Sequence, residues 1–277
     1  MRIDAHQHFW RRDRGDYDWL TPDLSPLWRD FLPDDLAPAL ARHGIAGTVL
    51  VQAAPTDAET AFMLSLARSH AFIRGVVGWT DLAAPDAPER IAALASDPLL
   101  VGLRPMLQDL PDDDAILDPA AQPALAAMAR HRLALDALIR PRHLPRIATL
   151  REWHPELRIV IDHAAKPDIA AGDLGQWSRD LAAVAADGVT HCKLSGLVTE
   201  AAADWRVDDL RPVVETVLGA FGPDRVMWGS DWPVLGLASD YDGWVAASRA
   251  LLAGLGPEDQ ADVLGLTARR FYRLEAR

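Results

Sequence analysis

The 277-residue chain is poor in cysteine, in long apolar runs and in positive charge. Its one cysteine, Cys192, excludes a disulfide framework, and its apolar surroundings in the sequence predict an inert buried thiol. No apolar run approaches the roughly 20 residues that a membrane helix needs. Net charge is -12, which argues against nucleic acid or an anionic membrane surface as a partner. The first residues do not resemble a signal peptide, so we expect a cytoplasmic protein.

Apolar content and tryptophan, in contrast, are ample. Hydrophobic residues make up 49% of the chain, which suffices for a large core in one barrel-sized domain or two small ones. There are 10 tryptophans, whose rigid rings suit sugar-like substrates, although core packing accounts for most tryptophans. The aromatic and irregular residues 9–32 are too long for a plain connection and predict a wall or lid over a site, or else a structural clamp.

Short apolar strands alternate with amphipathic helices along the whole chain. Eight such pairs can be read from residue 3 onwards, and a last helix is expected over residues 258–272. This pattern predicts a single distorted (β/α)8 TIM barrel over residues 1–277, with a long first loop and an extra C-terminal helix. An open doubly wound sheet is the alternative, but no glycine-rich fingerprint follows the first strand.

The first predicted strand ends in two histidines, and the eighth ends in a carboxylate. His6 and His8 are two residues apart, so on a strand their side chains point the same way and could hold a metal ion or a water. Two ordinary surface histidines would give the same pattern. Because the first and eighth strands of a barrel are neighbours, we expect His6, His8 and Asp231 to share the mouth at the carboxyl ends of the strands.

The other strand ends add polar groups to the same mouth. Arg104 could instead pair with Asp136 inside the barrel, and Lys193 could be a core lysine paired with an acid. Asp162 alternates with His163 and is therefore expected outside the lumen. The predicted contributors besides the first and eighth strands are Gln52, Trp79, Arg104, Asp136, His163, Lys193 and Ser195.

Four sequence blocks, in this order, resemble the amidohydrolase superfamily. They are residues 6–8, residues 162–167, residues 193–197 and residues 229–233. The chain is most similar to the branch of sugar-acid lactonases, of the L-fuconolactonase and L-rhamnonolactonase type, and the resemblance covers essentially its whole length. It implies hydrolysis of an aldonolactone, such as L-fucono- or L-rhamnonolactone, by an activated water.

The chain also departs from this resemblance at the metal site. Two-metal members of the superfamily have a lysine or glutamate at the end of strand four and a histidine at strand five, where this chain has Arg104 and Asp136. A binuclear site is therefore not expected. One divalent cation such as Zn²⁺, and a metal-independent site, both remain open. The candidate ligands are His6, His8, His163 and Asp231.

A lactonase of this kind needs a general base, a cation near the carbonyl and a surface for the sugar ring. We expect Asp231 to be the base and His163 to orient the water or bind the ion. Lys193 or Arg104 would meet the developing negative oxygen, and Arg104 could also bind substrate hydroxyls. The residues expected to contact the substrate are Trp28, Trp79, Trp232 and Arg104.

Two other functions are compatible with the sequence. A metal-dependent decarboxylase or another hydrolase of the superfamily would use Arg104 to bind a carboxylate. A barrel without activity, serving as a scaffold, would leave the polar strand ends unexplained. The expected partner is a small lactone, and exposed aromatic residues leave room for a homo-oligomer.

Overall fold

Eight parallel strands dominate the computed structural model, which describes residues 1–274. They follow one another in sequence order around a nearly closed barrel, and helices surround them. The predicted (β/α)8 TIM barrel is therefore confirmed. The strands are β1 (Arg2–Gln7), β2 (Ile45–Val51), β3 (Ile73–Gly78), β4 (Leu100–Leu103), β5 (Ala134–Ala137), β6 (Arg158–Ile161), β7 (His191–Leu194) and β8 (Val226–Trp228).

The helices pack their apolar faces against the outside of this barrel. No helix within residues 1–274 is long and apolar enough to cross a membrane. The predicted helices are present, with ends that differ by a few residues from the sequence pattern. They are α1 (Pro33–His43), α2 (Asp57–Ser69), α3 (Ala87–Leu94), α4 (Gln122–Arg130), α5 (Leu144–Trp153), α6 (Gly175–Ala185), α7 (Val207–Phe221), α8 (Tyr241–Leu251), α9 (Pro257–Ala261) and α10 (Thr267–Tyr272).

Backbone hydrogen bonds join the end of β1 to the segment that follows β8. The Asp231 amide donates to the His6 carbonyl at 2.8 Å, and the His8 amide donates to the Trp232 carbonyl at 2.7 Å. Gly229 permits this approach, since a Cβ there would lie 2.7 Å from the His6 Cβ. The two ends of the barrel sequence therefore meet at the mouth, as the sequence predicts.

A buried carboxylate on β1 reinforces the same junction. Asp4 accepts a hydrogen bond from the Ser230 amide at 2.8 Å and another from the Tyr241 hydroxyl at 3.0 Å. Burial raises the pKa of Asp4 to about 6, although these hydrogen bonds oppose the rise. Asp4 therefore fixes the segment that carries Asp231 against both β1 and α8.

The long first loop forms an aromatic layer over part of the mouth. Trp10 and Phe31 exchange backbone hydrogen bonds of 3.0 Å, which tie the two ends of the loop together. The Trp10 ring contacts the rings of Tyr17, Trp19 and Phe31 with centroid separations of 5.2 to 6.4 Å. The loop is therefore an ordered wall with its own apolar core.

The opposite end of the barrel is closed by the C-terminal segment. Phe271, Tyr272 and Leu274 are buried there in one cluster with Ile3 and other lumen residues. The sequence predicted one continuous helix over residues 258–272, and this prediction is wrong. A π-helical segment (Asp262–Leu266) separates α9 from α10, and Gly265 within it has an extended φ of 166°.

Candidate active site

Three histidines surround the carboxylate of Asp231 at the mouth of the barrel. Asp231 Oδ1 lies 3.2 Å from His8 Nε2, 3.7 Å from His6 Nε2 and 3.9 Å from His163 Nε2. All four side chains are buried. The predicted convergence of the N-terminal histidines with Asp231 is therefore confirmed, and His163 from the end of β6 joins them.

The charge states of these groups follow from their burial and from one another. Burial lowers the pKa of His163 to about 4, and burial together with the Lys193 charge lowers the pKa of His6 well below its usual value. Burial alone would raise the pKa of Asp231, but the facing imidazoles of His163 and His8 outweigh it and hold that pKa well below its usual range. At neutral pH the site thus holds an ionised carboxylate beside the neutral rings of His6 and His163.

Hydrogen bonds from the opposite ring nitrogens orient two of these histidines. His8 Nδ1 lies 2.7 Å from the Val51 carbonyl, which can only accept, so this nitrogen donates. His163 Nδ1 lies 2.8 Å from Ser195 Oγ. Gly196 makes room for the His163 ring, because a Cβ there would lie 2.6 Å from His163 Nδ1. The Nε2 atoms of both histidines consequently face Asp231.

Lys193 lies deeper in the lumen than the sequence suggests. It is fully buried, and its Nζ lies 2.5 Å from Asp136 Oδ2, 3.0 Å from Asp162 Oδ1 and 3.0 Å from His6 Nδ1. The Tyr272 hydroxyl donates to Asp136 from below at 2.6 Å. The structure therefore places Lys193 under His6 rather than in the wall of the cavity. Its contacts match the alternative prediction, a core lysine paired with acids.

Asp162 points into the lumen, so the expectation that it lies outside is wrong. β6 ends at Ile161, and His163 takes a left-handed conformation with a φ of 54°. The alternation of a strand no longer applies after Ile161, so Asp162 and His163 both face inwards. Burial would raise the pKa of Asp162, but the Lys193 ammonium holds it well below its usual value.

Arg104 reaches the mouth from the end of β4 and is nearly fully buried. Its NH2 group donates to the Gln52 carbonyl, and NH1 lies 3.5 Å from Asp162 Oδ2 and 3.4 Å from His6 Nε2. The alternative pairing of Arg104 with Asp136 is wrong, since Lys193 takes that carboxylate. Asp162 thus balances the charges of two cations, Lys193 at Oδ1 and Arg104 at Oδ2.

A cavity of about 430 Å³ opens above these groups. Its floor contains His8, His163, Asp231 and Arg104. The first loop supplies one side of the wall, and the connections after β2, β4, β5, β6 and β8 supply the rest. The wall includes Trp19, Leu24, Gln108, Asp109, Lys166 and Val234.

Three tryptophans predicted to contact the substrate are not among the residues that line this cavity. The Trp28 ring lies 3.7 Å from the Arg12 guanidinium, and Trp232 packs between Phe9 and Phe31. Trp79 is half-buried and does not line the cavity. Trp19 lines the cavity instead, where its Nε1 donates to the Ala53 carbonyl at 2.7 Å.

Four cavity residues were not predicted from the sequence, namely Trp19, Gln108, Asp109 and Lys166. Trp19 belongs to the aromatic first loop, but an irregular loop has no periodicity that would select it over Trp28. Gln108 and Asp109 belong to a short 3-10 turn after β4 that carries no motif. Lys166 lies in the sequence block of residues 162–167, but no role was predicted for it.

The donor atoms around Asp231 fit one divalent cation. His6, His163 and Asp231 offer ligand atoms that all lie within 4.8 Å of one another, and this is the one such group within residues 1–274. With its Nδ1 bonded to the Val51 carbonyl, His8 turns Nε2 towards Asp231 Oδ1 at 3.2 Å, so two potential ligand atoms face each other. A cation between two such atoms stabilises them, and imidazole with carboxylate is a common Zn²⁺ ligand set.

Comparisons with known proteins agree with this barrel and site. The chain belongs to the amidohydrolase family, whose sequence profile, described as Amidohydrolase, matches residues 3–274. The predicted membership is therefore confirmed.

Within the family, two curated relatives share one name. An L-fucono-1,5-lactonase of Burkholderia ambifaria is 48% identical over 99% of this chain and 96% of its own length. An L-fucono-1,5-lactonase of Burkholderia multivorans is 40% identical with the same coverage of both chains. An amidohydrolase from Burkholderia multivorans, solved with bound Zn, is 38% identical with a TM-score of 0.93 and covers 99% of this chain and 100% of its own.

Proposed function

We propose that this enzyme hydrolyses a sugar-acid lactone, with L-fucono-1,5-lactone as the first substrate to test. The observation that carries the proposal is the Asp231 carboxylate, which three histidines surround at the floor of a cavity of about 430 Å³. Relatives at 48% and 40% identity that carry the name L-fucono-1,5-lactonase support the choice of substrate class.

Asp231 is the general base in this proposal. It accepts a proton from a water that attacks the lactone carbonyl carbon, and the ring C–O bond then breaks. The proton passes to the ring oxygen, which leaves as the hydroxyl of the open-chain sugar acid. His8 and His163 orient the water, because their Nε2 atoms converge on the same carboxylate oxygen.

His6, His163 and Asp231, with His8 beside them, would hold a single divalent cation such as Zn²⁺. The Zn-bound relative and the donor set support this assignment. A bound cation supplies electrostatic polarisation of the carbonyl group and of the water. The protein groups keep the same tasks in the absence of an ion, since the carboxylate is ionised and the rings are fixed by Val51 and Ser195.

Arg104 and the cavity wall bind the substrate. Arg104 lies on the cavity floor, where the planar guanidinium group can donate to a hydroxyl or carbonyl oxygen of the substrate. Trp19 offers an aromatic face for the sugar ring, a role that was predicted from the sequence for Trp28 and Trp79. Gln108 and Asp109 supply polar contacts for hydroxyl groups.

A pH-indicator assay of purified protein against a panel of aldonolactones, with and without a chelator, tests the function. We expect proton release with L-fucono-1,5-lactone at a kcat/KM of about 10⁴ M⁻¹s⁻¹ or more, as is usual for an enzyme on its own substrate. Loss of activity with chelator and recovery with Zn²⁺ would support the cation. No proton release from any aldonolactone, with carbon dioxide release from an aromatic acid, would favour the decarboxylase alternative.

A further inference from the structure

The sequence has only two lysines, and both are at the functional end of the barrel. Of the 28 lysine and arginine residues, 26 are arginine, and the exceptions are Lys166 and Lys193. Lys193 is fully buried beneath His6, whereas Lys166 lines the cavity together with His163 and Asp231. An ammonium is a compact charge with three donors, and it differs in this from the planar guanidinium used elsewhere in the chain.

The backbone that carries Lys166 has an uncommon conformation. Four consecutive residues, His163 to Lys166, have φ values of 54°, 52°, 61° and 51°. L-residues rarely adopt this left-handed region in succession, and such segments cluster at functional sites. Trp177 Nε1 donates to the Ala164 carbonyl at 2.7 Å, and the Lys166 amide donates to the His163 carbonyl at 2.8 Å.

This left-handed turn directs its first and fourth side chains to the cavity. His163 and Lys166 both line it, while Ala164 and Ala165 between them are fully buried in the core. A continued strand or an ordinary right-handed turn would not place these two side chains in the same way. The turn therefore couples the position of Lys166 to the position of a histidine beside Asp231.

Of the cations near the site, Lys166 is the one most available to a ligand. Its nearest acid, Glu200, lies 3.7 Å away, beyond hydrogen-bond length, and both side chains are one-fifth exposed. The other two cations are already engaged: Lys193 by two carboxylates, and Arg104 by the Gln52 carbonyl and Asp162.

We propose that Lys166 is a catalytic residue whose ammonium meets the lactone carbonyl oxygen as that oxygen becomes negative, and then holds the carboxylate of the product. The inference rests on the proposed lactone hydrolysis. The lactone is neutral, whereas the tetrahedral intermediate and the sugar-acid product are anions. A cation at this oxygen therefore favours the intermediate over the substrate, which raises kcat.

Substitution of Lys166 tests the role kinetically. Lys166→Met keeps an unbranched apolar stem and removes the charge, while Arg211→Met on the outer face of α7 is the matched control. We expect kcat to fall about 100-fold in Lys166→Met, the scale for loss of one oxyanion donor, with KM changed by less than about threefold. Inhibition by L-fuconate should weaken at least tenfold in Lys166→Met and stay unchanged in the control.

Chemical modification of the unaltered protein tests the same contact without a variant. Acetylation with a water-soluble succinimidyl ester, followed by mass spectrometry, should label Lys166 and the chain amino terminus but not the buried Lys193. Saturating L-fuconate should slow the labelling of Lys166 and leave the amino terminus unaffected.

Unchanged labelling of Lys166 under L-fuconate, or a Lys166→Met enzyme within about threefold of wild type in both kcat and product inhibition, would overturn the assignment. If the wild-type enzyme is active, such a result rules out only the role of Lys166. A wild-type protein that hydrolyses no aldonolactone removes the proposed function as well.

Discussion

Lys193 neutralises two buried carboxylates, and within residues 1–274 it is the one cation paired with Asp136. Its ammonium lies within 3.0 Å of Asp162 and 2.5 Å of Asp136, and all three side chains are inaccessible to solvent. Burial raises the pKa of Asp136 to about 6, with the Lys193 charge opposing the rise. A buried charge without a partner is costly, so the stability of the lumen depends on this one residue.

We therefore expect Lys193→Met to destabilise the fold by about 3–5 kcal/mol, the usual cost of breaking a buried ion pair. Urea denaturation followed by circular dichroism measures the change. The double variant Lys193→Met/Asp136→Asn should recover part of the loss, because the carboxylate that has lost its cation is then removed. A single variant as stable as wild type would contradict the pairing.

Individual residues were predictable where a strand fixed their direction. His6 and His8 lie on or directly after β1, and Asp231 follows β8, so neighbouring strands in a barrel bring them together. Asp162 was assigned wrongly because the strand ends at Ile161 and a left-handed turn follows. No periodic pattern records such a turn, and its reason lies in the packing of Ala164 and Ala165 against the core.

A carboxylate on α2 holds the connection after β2 that forms part of the cavity wall. Glu59 Oε2 accepts hydrogen bonds from the amides of Ala53 at 3.0 Å and Ala54 at 2.5 Å. The Ala53 carbonyl in turn accepts from Trp19. Burial raises the pKa of Glu59 to about 7, against these hydrogen bonds. α2 thus positions the aromatic wall, because Glu59 holds the backbone of Ala53 and the Ala53 carbonyl holds Trp19.

The raised pKa of Glu59 predicts how stability depends on pH. The folded protein binds this proton more tightly than the unfolded chain, whose carboxyl has a pKa of 4.5. The Glu59 contribution to stability is therefore greatest below pH 4.5 and is lost as pH rises through about 7.

Glu59→Gln keeps an acceptor for the two amides and removes the titration. We expect this variant to gain stability relative to wild type on going from about pH 5 to about pH 8.5, by urea denaturation. Glu215→Gln, at an exposed position of α7, is the control and should show no such trend. A stability difference between Glu59→Gln and wild type that is the same at both pH values would contradict this assignment.

Helices and strands were predictable as elements because each has one face in the core. The apolar stripe of α7, for example, has the period of a helix, and it buries Leu210, Val213, Val214, Val217 and Phe221. The break between α9 and α10 was not predictable, since it follows from the contact of this segment with the start of β1. The 3-10 turns after β4 likewise depend on neighbours that are distant in sequence.

Across the whole molecule, the fold makes residues that are more than 200 positions apart into one site. Strand order β1 to β8 leaves the first and last strands side by side, and the backbone hydrogen bonds from Asp231 to His6 and from His8 to Trp232 close the gap. The barrel and this convergence follow from the order of elements in the sequence. The depth of Lys193 and the choice of Trp19 over Trp28 depend on side-chain packing, which that order does not specify.

The turnover of Asp231→Asn on L-fucono-1,5-lactone tests the central claim most directly, with Asp208→Asn on the outer face of α7 as the matched control. The amide has nearly the same shape but cannot accept the proton of the attacking water. We expect kcat to fall by about 100-fold or more with the circular dichroism spectrum unchanged, and the control to match wild type. An Asp231→Asn enzyme that retains more than about a tenth of wild-type turnover would contradict the assignment of Asp231 as the general base.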